Sequence, residues 1–581
     1  MRRGLLARLM PAATVTLLLA SSALLVVPSA AAGSPTPAAD VTGTITLDGT
    51  AVTVRLPTAG QNGRITFTGA TNQRVSVNVS QSTIGPACPA VLVSLLRPDN
   101  SQLGAPASTC GATAFLDTQT LDATGTWTIF VDPQGSNVGH LTLRAYAVSD
   151  QVGTIVRNGV PVSVSITTPG QNARFTFTST AGQQVSSLLS SATFGKTCGA
   201  ASVSLRRPDG SRLGNAAVSC KQVAFLDSLT LDVDGTWAIL VDPQGARLGT
   251  ANLSAFNTND QTGLTHLDGT PFAIDLSSPG ENAAIHFTGD AGQNVSAQIA
   301  NATFAGCPAF VLSLVRPDGS SFGNTVDSCT AAAFLDAQTL DQTGVWSVLV
   351  DPQGKTTGAA TLRAYDAKDD TGTADLSGKP AYVAFGNPGE NARWTFSGTS
   401  GQHISAYVTQ STLSPCDFSL SLVRPDGSTL GTPVDSCSAE AFVDTQVLDQ
   451  TGTWTALVDP KGPGTGSATL QVFKVTDTSM RFKPSPYLKT FTSLTPGTNA
   501  RYRFDGTVGN VRNVKITDST YEGCPSLVVS LVRPDSSVLT SKSTCTDAVT
   551  FTDVSLDAAG TWTLFIDPQG PATGTMIIHL T

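Results

Sequence analysis

The sequence predicts an all-β chain built as five tandem antiparallel β-sandwiches of jelly-roll or immunoglobulin-like type. Three observations carry this. Gly-x-Trp recurs at Trp127, Trp237, Trp346, Trp454 and Trp562, about 109 residues apart each time. Apolar residues inside each copy alternate with a period of two, and no stretch shows the helical period. The ten cysteines fall two to a copy.

At the N-terminus, Arg2 and Arg3 give a positive start and Leu17 to Val27 form a mostly apolar stretch. Ser29-Ala30-Ala31-Ala32 then supplies the small residues that a signal peptidase accepts. Residues 1–32 therefore read as a signal peptide and 33–40 as a flexible linker. Nothing after residue 40 approaches the ~18 consecutive apolar residues of a membrane helix. The expected mature chain is extracellular and is not inserted in a membrane once the signal is cleaved.

The repeats are read as 41–148, 149–257, 258–366, 367–475 and 476–581. In each, the strand after Gly-x sets Trp beside two apolar residues on one face, as in Trp127/Ile129/Val131 and Trp562/Leu564/Ile566. The strand before each Arg-Pro-Asp alternates likewise, as in Val91/Val93/Leu95 and Phe310/Leu312/Leu314. About eight strands per copy are expected, in two facing sheets. A period this long gives each copy its own core, so the reading is of beads and not of a solenoid. Short junctions at Asp150, Asp260, Asp370 and Asp477 imply a semi-rigid string. The fifth copy diverges: Lys483 to Leu488 replaces the usual opening turn, and Arg501, Arg503 and Arg512 add positive charge, as in a C-terminal cap.

The cysteine pairs Cys88/Cys110, Cys198/Cys220, Cys307/Cys329, Cys416/Cys437 and Cys524/Cys545 each straddle an Arg-Pro-Asp turn almost symmetrically. Two residues facing each other across a hairpin would be placed so, and Pro-Asp-Gly is favourable turn chemistry. Five disulfides local to their repeats are expected, in keeping with export. A zinc site would need closely paired cysteines, which this spacing lacks.

Catalytic chemistry is not expected. His140, His266, His286, His403 and His579 sit at different places in their copies, and no nucleophile elbow or metalloprotease helix motif occurs. The recurring aspartates offer calcium as the one candidate cofactor. They follow Phe (Asp117, Asp227, Asp336, Asp444, Asp553), follow Leu (Asp122, Asp232, Asp341, Asp449, Asp557), precede Pro (Asp132, Asp242, Asp351, Asp459, Asp567) or lie at the junctions. The same residues also serve as turn starters. The repeated Trp shares an apolar face and is expected in the core, not as a platform for sugar. With 34 Lys+Arg against 43 Asp+Glu and a net charge of −9, the chain is not expected to bind nucleic acid.

Phe287-Thr288-Gly289 with Ala291-Gly292-Gln293, Arg316-Pro317-Asp318-Gly319, Phe334-Leu335-Asp336 and Asp351-Pro352-Gln353-Gly354 form a recurring set. This set resembles the pre-peptidase C-terminal type of β-sandwich repeat found in secreted and surface proteins of actinobacteria and other bacteria. The resemblance implies accessory modules that aid secretion, adhesion or substrate contact, with calcium used in some related collagen-binding modules. Such modules accompany a catalytic or toxin-like domain, and here the repeats fill nearly everything after residue 40. The expected function is non-catalytic attachment, adhesion or spacing at the cell envelope. A polysaccharide-binding array and a fibre assembled through edge strands are the alternatives.

Overall fold

The computed structural model describes residues 38–85, 88–413, 418–482 and 486–581. The expected signal peptide, most of the linker, Cys416 and Lys483 to Ser485 lie outside these residues. Contacts divide the chain into two compact units, Met1–Val148 and Ser149–Thr581. No helix forms among the described residues.

The first unit has nine strands: β1 (Val41–Thr44), β2 (Val52–Leu56), β3 (Gly63–Gly69), β4 (Arg74–Ser80), β5 (Val91–Leu96), β6 (Gln102–Thr109), β7 (Ala114–Thr120), β8 (Gly125–Pro133) and β9 (Gly139–Ala147). They form a five-stranded sheet in the order β1-β3-β8-β5-β6 and a four-stranded sheet in the order β2-β9-β4-β7. The inward residues of both sheets share one core, with Trp127, Ile129 and Val131 of β8 against Val77 and Val79 of β4 and Leu143 of β9. The second unit repeats this set of nine four times, with the same two strand orders and one core cluster per repeat.

All five recurring Trp side chains are 0% exposed. Each indole N–H donates to the carbonyl four residues earlier: Ala123, Val233, Gln342, Gln450 and Ala558, at 3.1–3.2 Å. That bond satisfies the one polar atom of a side chain otherwise packed among aliphatics. It also removes the indole from any sugar-stacking role.

The structure corrects the expected fold of five separate antiparallel β-sandwich domains, whether jelly-roll or immunoglobulin-like. Each repeat has nine strands, not about eight, and its first strand is not antiparallel. β1 runs parallel to β3 (Val41↔Gly63 to Thr44↔Thr66), and the same parallel pair opens every later repeat. The physical reason is a crossover: after β1 the chain passes to β2 in the other sheet before returning as β3, so it re-enters in the same direction. The repeats are not strung as independent beads either. Residues 149–581 form one compact unit, and within it each repeat is stacked on the next like the coils of a solenoid.

Buried serines make that stacking. Ser186, Ser296 and Ser405 are 0% exposed, and each hydroxyl donates to a carbonyl of the following repeat: Pro279 (2.5 Å), Pro388 (2.6 Å) and Pro496 (2.7 Å). The glycine after each Pro has φ near +85°. A Cβ at Gly280, Gly389 or Gly497 would stand 2.9, 2.9 and 3.2 Å from the Cβ of the corresponding serine. Only glycine gives both the left-handed backbone and this close approach.

Candidate functional site

A groove recurs at one place in three repeats. In the first repeat, β1 pairs with β3 as far as Thr44, and the N–H of Ile45 still donates to Thr66 O at 3.0 Å. The chain then leaves the sheet edge, opening a cleft lined by Thr44, Ile45, Thr46, Leu47, Thr66, Phe67, Thr68 and Thr126. Equivalent bonds, Ile155 N–H to Thr176 O (3.0 Å) and Thr265 N–H to His286 O (2.9 Å), precede the same departure in the next two repeats. The three clefts measure about 560, 480 and 440 Å³, within the ~300–1,000 Å³ of ligand-sized clefts.

A buried phenylalanine lies beneath each groove (Phe67, Phe177, Phe287), and threonines and polar groups form the walls. The second carries Arg157, whose guanidinium lies 5.1 Å from the Phe177 ring and donates to Ser179 Oγ and Gln183 Oε1 at 3.2 Å each. Burial lowers the pKa of Arg157. The third carries His266 and Asp366. The grooves thus share backbone and floor but differ in charge. Sequence reading missed them, because their lining comes from short polar stretches on either side of the parallel edge strand.

The cysteines lie where two strands approach each other. Cys88–Cys110, Cys198–Cys220, Cys307–Cys329 and Cys524–Cys545 are bonded, with Cα–Cα distances of 4.1–4.6 Å. These are four of the five expected pairs. The remaining expected pair is Cys416 with Cys437, and Cys416 lies outside the described residues. Cys437 itself is disulfide-bonded and not a free thiol. Such bonds are in keeping with a chain that folds in an oxidising compartment. No helix among the described residues is long and apolar enough to cross a membrane.

The aspartates separate into distinct uses. Those after Leu are clamped by the Arg of Arg-Pro-Asp: Arg97 to Asp122 at 2.7 Å, Arg207 to Asp232 at 2.7 Å, Arg316 to Asp341 at 2.9 Å, Arg424 to Asp449 at 2.9 Å and Arg533 to Asp557 at 2.8 Å. The arginine hydrogen bonds hold Asp122, Asp232, Asp449 and Asp557 below the ordinary carboxylate range. These residues tie the turn between β5 and β6, and its counterparts, to the loop between β7 and β8.

Three sets of the others meet at the seams of the second unit. Asp227 sits in a bulge, because the ladder slips by one residue between Val185↔Leu229 and Ser187↔Leu226. A bulge re-aims the side chain it carries, and Asp227 Oδ1 would lie 3.1 Å from a Cβ on Gly280 of the next repeat. Asp260 accepts from the Asn282 amide at 3.0 Å. Ala283 pairs with Val350, so Asn282 stands across the strands from Asp351. The same three positions return as Asp336, Asp369 and Asp459, and as Asp444, Asp477 and Asp567. The third junction residue is Asp369, not Asp370 as the sequence suggested. Asp370 belongs to the parallel edge strand and accepts from Ala384 N–H at 3.0 Å.

Burial, and then the neighbouring carboxylates, raise Asp351 and Asp567 to about 6. Burial also raises Asp227, Asp336, Asp444 and Asp459. Among the described residues, no three His, Cys, Asp or Glu side chains form a ready-made metal cage. His286 Nδ1 lies 2.8 Å from Ser347 Oγ as a cross-strand pair, and His140 Nδ1 lies 3.1 Å from Thr83 Oγ1.

No protein-family model matches the chain, and no curated protein matches it. Among solved structures, it is similar to PliG, a periplasmic inhibitor of g-type lysozyme from Aeromonas hydrophila, at 13% identity over 18% of this chain and 99% of that one, with a TM-score of 0.14. The human MASP-1/3 CUB1-EGF-CUB2 fragment aligns at 10% identity over 35% and 99%, with a TM-score of 0.12. The Bacteroides ovatus protein SGBP-B, solved with a mixed-linkage heptasaccharide, aligns at 13% identity over 66% and 88%, with a TM-score of 0.11. Likeness at this level carries no argument about fold or function.

Proposed function

We propose that the chain is a non-catalytic extracellular protein that attaches to the cell envelope or to an extracellular polymer through many weak contacts. The single observation behind this reading is the groove that recurs at equivalent positions in three successive repeats. A shallow Thr-rich cleft with an apolar floor suits a repeating partner held loosely at each station. Stations tied to one chain raise total avidity by ~10²–10⁴ when the spacing lets them engage together. The resemblance to pre-peptidase C-terminal repeats agrees with an accessory role at the surface. Capture of a polysaccharide is the second reading, favoured by the hydroxyl-rich groove walls.

The test is retention of the chain from residue 33 on purified cell-wall material, on a panel of insoluble polysaccharides and on immobilised matrix protein. Retention on cell wall or protein that soluble oligosaccharides do not displace supports attachment. Retention displaced by one oligosaccharide moves the assignment to polysaccharide capture. No retention on any surface contradicts both.

A further inference from the structure

We propose that the open edge of the strand Tyr487–Ser493 in the fifth repeat pairs with the same edge of a second copy, joining two chains antiparallel about a two-fold axis. The argument comes from comparing the five counterparts of β2, and it does not depend on the attachment reading.

Each of these strands ends its four-stranded sheet, so one row of its backbone N–H and C=O groups has no neighbouring strand. In the second and third repeats the chain caps that row itself. The Gln151 side chain donates to Ser163 O at 2.9 Å and accepts from Ser165 N–H at 2.7 Å. Gln261 does the same with Ala273 O at 3.0 Å and Asp275 N–H at 2.9 Å. A side-chain amide, with donor and acceptor side by side, thus stands in for a missing strand. In the fourth repeat Asp370 takes the position and accepts from Ala384 N–H at 3.0 Å. In the first repeat the position is Val41, and the exposed charge of Arg55 guards the edge.

The fifth repeat has neither device. Thr478 pairs with Ala500 as Gln151 pairs with Ala173, so a threonine fills the glutamine position. Thr490 and Thr492 stand where Ser163 and Ser165 do, in the same register against the closing strand. Among the described residues no side chain caps Thr490 O or Thr492 N–H. The strand is also the longest of the five, seven residues against five. Its exposed side chains are Leu488, Thr490 and Thr492, with no charge among them. Leu488 is 63% exposed, and Leu494 just beyond the strand is 86% exposed. A long, uncapped and uncharged edge is a template for another strand.

The occupant follows from the symmetry of the row. Alternate residues of a strand turn their backbone groups to the same side, so those of Leu488, Thr490 and Thr492 leave the sheet together. A second copy turned about Thr490 sets Thr490 against itself and Leu488 against Thr492, and each opposed pair exchanges both hydrogen bonds. Lys489 then faces Phe491 of the second copy and not another lysine, so no like charges are directly opposed. The contact is isologous and uses up both edges, so it closes at two chains and does not grow into a fibre.

The test is sedimentation equilibrium of the chain from residue 33, with circular dichroism as the check of folding. The chain should reach twice its own mass as concentration rises. Thr490→Lys sets two ammonium groups against each other across the axis, and Thr478→Gln copies the caps of the second and third repeats. Each should return the chain to its single mass. Thr53→Lys, at the equivalent place on the first repeat, should leave the doubled mass unchanged. A chain that stays at its single mass throughout overturns the proposal. So does a doubled mass that survives in folded Thr490→Lys or Thr478→Gln, or one that is lost in folded Thr53→Lys.

Discussion

Replacing Ser296 by Ala removes the donor that Pro388 O accepts across the seam between the third and fourth repeats. The bond is 2.6 Å long, and Ser296 is 0% exposed, so the carbonyl is left buried without a partner. Such a loss costs about 1–3 kcal/mol. Its effect on melting depends on how much of the chain unfolds together. At ~2.1 cal/mol/K per residue, a body of ~430 residues has an unfolding entropy near 0.9 kcal/mol/K, so Tm falls by about 1–3 °C. A lone repeat of ~109 residues has about 0.23 kcal/mol/K, and its Tm would fall by about 4–13 °C. Differential scanning calorimetry separates these cases. The stacked unit predicts the smaller shift, shared by the main transition. A large shift confined to about a quarter of the heat would refute stacking, and no shift would refute the energetic role of the serine. Gly389→Ala should cost at least as much, since φ is +87° and the new Cβ would stand 2.9 Å from Ser296 Cβ.

Three further outcomes follow from the same structure. Removing the Cys307–Cys329 bond by a double Ser substitution should cost roughly 3 kcal/mol in the chain-entropy model for its separation of 22 residues, read by chemical denaturation. Trp346→Ala should cost about 3–5 kcal/mol, because a fully buried indole and its bond to Gln342 O are both lost. Acidification should stabilise the second unit in the presence of chelator. Asp351 and Asp567 are raised from the ordinary 3.8 to about 6 in the fold, so the folded state holds those protons more tightly than the unfolded chain. The charged forms therefore cost stability above about pH 6, and that cost is relieved as pH falls from 6 towards 4. Unscreened, the shift would amount to ~3 kcal/mol per group. Partial exposure reduces this to roughly 1–2 kcal/mol. A Tm that falls between pH 7.5 and 5 would contradict the assignment.

The elements that spoke clearly in the sequence are those whose residues make contacts inside one repeat. Trp127 and its four counterparts, the alternation before Arg-Pro-Asp and the hairpin cysteines all answer to a strand period or a turn. The stacking did not speak. Ser186, Ser296 and Ser405 are small polar residues mid-strand with no motif around them, and they are buried because the next repeat covers them. The parallel edge strand, as in Val41–Thr44, is four residues long and mostly polar, so no period marks it. The aspartates were visible as recurring residues. Their sorting into Arg-clamped and seam-facing groups depends on partners about 24 residues away or in another repeat, which local pattern does not encode.

The central claim about function is that the grooves act together. Thr68, Thr178 and Thr288 are exposed positions in the three grooves, and Trp at each would fill the cleft without touching the core. Retention on the envelope fraction should be measured with three, two, one and no open grooves. The account predicts a steep loss, several-fold for each groove closed, as expected when tethered weak sites multiply. Retention that is unchanged with all three grooves filled would contradict it.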